Sequence, residues 1–102
     1  MSSTPSPKWS QDESIAFECA RDCISDLMGI LTAAIAAEEA QQSPREGHIA
    51  KLVEERSSLH HELAVLRVSD KEQIAKIRHE YGSRIRAHRA PQKPGTTNMS
   101  QA

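Results

Sequence analysis

Two cysteines, Cys19 and Cys23, stand four residues apart, a spacing that puts both side chains on neighbouring turns of one helix face. Thiolates so placed could join a metal or a disulfide. Structural metal sites of the usual kind use shorter Cys loops and four ligands, and further ligands are unassigned. His60 and His61 offer themselves if the chain folds back antiparallel about Ser43, which sets residue 23 against roughly residue 63. Packing is the competing role, because Cys23 falls on an apolar seam and a free Cys behaves there as a small hydrophobe. A thiol or metal site at Cys19 and Cys23 is the third functional reading, and no cofactor is expected.

The other reactive side chains form no catalytic grouping. His48, His60, His61, His79 and His88 are scattered, and no nucleophile elbow, Gly-rich phosphate loop or His-Glu-x-x-His appears. Ser10, Ser43 and Ser69 already fit helix caps. The expectation is a non-enzymatic protein without a small-molecule substrate.

The basic stretch from Lys76 to Lys93 carries more chemistry. Lys76, Arg78, Arg84, Arg86, Arg89 and Lys93 outweigh Glu80, and such a helix and tail can hold phosphates in a salt-sensitive way. The aromatic residues that stack single-stranded bases are missing there apart from Tyr81, which falls on the inward stripe. Long helices with these turns do not match a helix-turn-helix. Basic residues near a helix C-terminus also complement its dipole with no ligand at all. Nucleic-acid binding through Arg78, Arg84, Arg86 and Arg89 is the second reading, and it requires the four to share one exposed stripe.

Charge is distributed unevenly. Residues 1–42 carry two basic and seven acidic side chains, residues 43–68 four of each, and residues 69–102 seven basic and three acidic, for a formal net charge of −1. The acidic first segment and the basic last one can attract each other within one chain or between two symmetric copies.

These residues need elements to position them, and Ser-x-x-Glu supplies the punctuation. It occurs at Ser10–Glu13, Ser43–Glu46 and Ser69–Glu72, each copy ahead of an apolar helical repeat, as in a capping box. Helices are expected over about 11–42, 44–67 and 70–88, with disordered tails at 1–9 and 90–102. In the first, Ala16, Ala20, Cys23, Leu27, Ile30, Ala34 and Ala37 step by four and three as a seam, with Phe17, Ile24, Met28, Leu31 and Ile35 beside it. In the second, Ile49, Leu52, Leu59, Leu63 and Leu66 form the stripe, Arg56 fills its gap, and Pro44 suits the first helical position. The third carries Ile74, Ile77, Tyr81 and Ile85 inward and continues through Gly82. The fold class is an all-α three-helix antiparallel bundle; a continuous helix across Ser69 would give a two-helix long hairpin instead.

Hydrophobic residues are 37% of the 102 and aromatic ones 3%, below the usual apolar share of about 45–50%, so any core is aliphatic and thin. The mostly apolar run Leu27 to Ala37 is about half the length of a membrane span. The polar first eight residues lack a secretory core, and two Cys in a chain without one point to reduced thiols, so a cytoplasmic location is expected. Around Leu27 to Ala37 the helix is apolar nearly all round, more than one short partner stripe would cover. Gly29, Ala33 and Ala37 recur every four residues as a small-residue ridge. The first reading is therefore a helical protein–protein interaction module, an adaptor, regulator or inhibitor. Its partner is a protein or a second copy of the chain, docked on Leu27, Gly29, Ile30, Leu31, Ala33 and Ala37.

Overall fold

The computed structural model describes residues 10–89; both expected tails lie outside the described residues. These residues form α1 (Gln11–Glu39), α2 (Glu46–Val65) and α3 (Lys71–Arg89), an all-α three-helix fold with no strand among the described residues. α2 returns antiparallel along α1, where Arg56 Nη1 donates to Thr32 Oγ1 at 3.1 Å. α3 reverses again and runs in the direction of α1, so that Lys71 Nζ at its start lies 2.6 Å from Glu13 Oε2 in the first turn of α1. The helix breaks between Val65 and Lys71, which excludes the long hairpin.

Both α2 and α3 pack along α1, whereas side chains alone bridge α2 and α3. The Gln73 amide and the Tyr81 hydroxyl each donate to the Glu62 carboxylate at 2.7 Å, and Arg84 pairs with Glu55 at 2.9 Å. α1 is the spine of the molecule. Its fully inward row is Ala20, Ile24, Leu27, Leu31 and Ile35, joined by Leu59, Leu66, Ile74, Ile77 and Ile85 from the other helices and the second turn. The expected seam is thus rotated toward its flank. Ala16, Cys23 and Ile30 are half-buried against the core, and Ala37 is exposed. Two helices, one on each side, pull the larger Ile24 and Leu31 inward in preference to the alanines, because burial stabilises roughly in proportion to apolar area.

The three capping boxes fare differently. At Ser10 the box closes in full: Ser10 Oγ accepts from the Glu13 N–H at 3.1 Å, and Glu13 Oε1 accepts from the Ser10 N–H at 2.9 Å. At Ser43 the expected start at Pro44 is corrected, since α2 opens at Glu46 with Arg45 as its N-cap residue and no side-chain cap. The reason is Glu38, an acid at an inward position of α1 that is only 8% exposed. Its carboxylate accepts from the Arg45 main-chain N–H and Nε, both at 3.0 Å, and from Nη2 at 2.9 Å. Three charge-assisted bonds on one carboxylate, two of them from the guanidinium, outweigh a single neutral Ser cap. α1 accordingly stops at Glu39, short of the expected 42, and Pro44 stays outside the helix. At Ser69 the cap moves one residue on: the Asp70 carbonyl accepts from the Ile74 N–H at 2.8 Å. The Asp70 carboxylate braces the turn by accepting from the Arg67 N–H at 2.9 Å. α3 continues through Gly82 to Arg89 as expected, with the Arg86 guanidinium lying over the glycine.

Candidate functional site

The outer face of α1 is built by what the core takes away. Leu27 and Leu31, expected on the docking face, are 3% and 5% exposed and belong to the core of this chain. Gly29, Ala33 and Ala37 remain exposed, as do Ala36 and Ala40, with Ile30 half-buried at their edge. A Cβ added at Gly29 would meet no atom within 4 Å, so nothing among the described residues requires a glycine there. The ridge therefore stands open along the last third of α1. Toward the N-terminus the same face carries exposed Asp22 and Asp26 and then Ile15, which is 53% exposed.

The open face follows from helix length. α3 starts level with Glu13 and has 18 further residues after Lys71, so at about 1.5 Å per residue it ends near the level of Leu31. Beyond that level, among the described residues, α1 has α2 alone beside it, on the flank of Met28 and Thr32.

The basic residues of α3 do not form one stripe. At about 100° per residue, Arg78, Arg86 and Arg89 fall within about 80° of arc, on the flank that also carries Lys71. Arg84 lies across the buried row of Ile77 and Tyr81 and is tied to Glu55 of α2. Arg86 Nη2 donates to Ser83 Oγ at 3.2 Å. Arg78, Arg86 and Arg89 are exposed and form no ion pair among the described residues.

Cys19 and Cys23 are free thiols, each half-buried. Burial pushes the Cys23 thiol upward, Asp26 adds to that push, and nearby Arg78 opposes it; the thiolate that would attack or bind metal is thus disfavoured. His60 and His61 are exposed on α2, and among the described residues no group of three or more His, Cys, Asp or Glu side chains is placed to hold a metal ion. Sequence reasoning did not single out Glu38, although the signal was present. The spacing Leu31, Ile35, Glu38 continues the inward row, with Arg45 seven residues on.

Among the described residues the architecture is an all-α fold of three helices, none of them long and apolar enough to cross a membrane. Comparison with protein-family models, with curated proteins and with solved structures finds no match.

Proposed function

We propose that this protein is a non-enzymatic interaction module whose docking face is the open ridge of α1, and that its first partner is a second copy of itself. The observation that carries the reading is the exposure of Gly29, Ala33 and Ala37 on a helix whose larger apolar residues are already used inside. Small side chains let a second helix approach closely, which increases van der Waals contact per residue. Gly at an exposed helix interior costs up to about 1 kcal/mol relative to Ala, and a close neighbour from outside would offset that cost. An antiparallel copy with its twofold axis near Ala33 sets Gly29 against Ala37 of the copy. A parallel copy would instead set Asp22 and Asp26 against their own images.

Light scattering at high micromolar concentration tests the reading. A dimer is expected for the native chain and a monomer for Ala33→Arg, which adds a charge at an exposed site and should leave the helical circular dichroism unchanged. Gly29→Ala should raise monomer stability by up to about 1 kcal/mol and yet weaken association. A strict monomer at that concentration ends the self-association reading, because Leu31 is already covered within the chain.

The second reading is nucleic-acid binding, narrowed from four arginines to Arg78, Arg86 and Arg89, which share one flank and form no ion pair among the described residues, whereas Arg84 is tied to Glu55 elsewhere. Three phosphates neutralised would give a slope of log K against log salt of about −2.7 on duplex DNA. Fluorescence anisotropy showing no binding at low salt removes it.

A further inference from the structure

The start of α3 leans on the start of α1 across a notch of about 120 Å³ lined by Glu13, Ala16, Val68, Lys71, Ile74, Ala75 and Arg78. Its floor is apolar: Ile74 is buried, and Ala16 and Val68 are half-buried. Its charged rim is asymmetric. At one end Glu13 holds the Ser10 N–H with one oxygen and Lys71 with the other. At the other end, two helical turns along α3 and about 10 Å away, Arg78 has no carboxylate partner among the described residues.

We infer that this notch binds a small apolar monocarboxylate, its hydrocarbon on Ala16, Val68, Ile74 and Ala75 and its carboxylate on Arg78. The inference is independent of the role given to the outer face of α1. Size and charge both limit the ligand. A cavity of about 150 Å³ holds a benzene molecule, so a slightly smaller notch that opens to solvent takes a short alkyl chain or part of a ring. A cationic headgroup would meet Arg78 and Lys71, with the charge of the Glu13 carboxylate already balanced by Lys71. An uncharged one would leave the guanidinium no better paired than before. Arg78 can grip a carboxylate through two parallel N–H donors, a geometry that Lys cannot reproduce.

The probe is sodium hexanoate, titrated into the full-length chain and followed by amide chemical shifts, with hexan-1-ol as the uncharged control. Saturable shifts centred on Ala16, Val68, Ile74, Ala75 and Arg78 are expected. Hexanoate should bind about fivefold more tightly than hexanol, the ratio that ~1 kcal/mol from an exposed ion pair corresponds to. Arg78→Gln should bring hexanoate down to the level of hexanol, whereas Arg86→Gln should change nothing. Both replaced residues are exposed, so the amide spectrum of each variant also reports whether the fold is kept. Shifts that map elsewhere, equal binding of acid and alcohol, or no effect of Arg78→Gln would each overturn the proposal.

Discussion

Glu38 shows how one side chain can relocate a helix boundary. Its carboxylate is held at about 2 by the Arg45 side chain and by the Arg45 main-chain N–H, well under the ordinary Glu value near 4.5. A carboxyl whose pKa is lower folded than unfolded stabilises the fold fully above the unfolded value and loses that contribution as pH falls toward the folded one. Thermal melts should therefore weaken as pH drops from about 4.5 toward 2. Glu13, lowered first by its bond to Lys71 and then by the Ser10 N–H, adds to the same slope. In Glu38→Gln the melting temperature should be lower near neutrality and the acid decline shallower than in the native chain; parallel declines would show that the clamp does not govern acid stability. Tyr81 makes the opposite case. Burial pushes its phenol up to about 12, with Glu62 as the next cause, so it stays a neutral donor through the physiological range. Its inward place was readable from the stripe Ile74, Ile77, Tyr81, Ile85. Its partner was not, because Glu62 lies on another helix and sequence spacing carries no information about lateral neighbours.

At the scale of the element, apolar periodicity identified all three helices, and local capping chemistry set one start out of three. The box at Ser10 forms because the two Glu13 oxygens divide their partners: Oε1 takes the Ser10 N–H, and Oε2 takes Lys71 at the start of α3. The box at Ser43 carried the stronger sequence signal, with Pro44 beside it, yet an acid on the preceding helix took hold of Arg45. The difference is measurable. Ser10→Ala should cost about 1 kcal/mol, the usual loss for a Ser cap, while Ser43→Ala should leave chemical denaturation within about 0.5 kcal/mol of native, as for surface changes generally. Equal losses at the two sites would contradict the assignment of Arg45 as the N-cap residue. Arg56 was legible in another sense: a charged residue filling the one gap in an apolar stripe reaches Thr32, the lone polar residue in the opposite apolar run.

For the whole molecule, the balance of apolar residues announced thin helices and the boxes announced their number. What periodicity could not divide was the surplus apolar surface of α1 between a core and a partner. Leu27 and Leu31 went to the core because α2 and α3 flank them from two sides, and the small residues stayed outside. Charge segregation found both a local use, in Lys71 with Glu13 and Arg84 with Glu55, and an unspent remainder at Arg78, Arg86 and Arg89. Self-association through the α1 ridge has a further signature at this scale. Anything that binds the folded chain raises its apparent stability by mass action, so the melting temperature should climb with protein concentration in the native chain and stay constant in Ala33→Arg.

Of the three helices described, the spine is also the one that leaves a ribosome first. α1 is complete before any residue of α2 exists, and the chain from Ala40 to Val65 follows at about 5–20 residues per second, so its apolar row waits on the order of seconds for Leu59 to arrive. The hairpin closed by Glu38 and Arg45 is the earliest tertiary contact the order of synthesis permits, and it forms at the end of α1 nearest to where the covering helix begins. A helix that everything else packs against is, during manufacture, the one left longest without company.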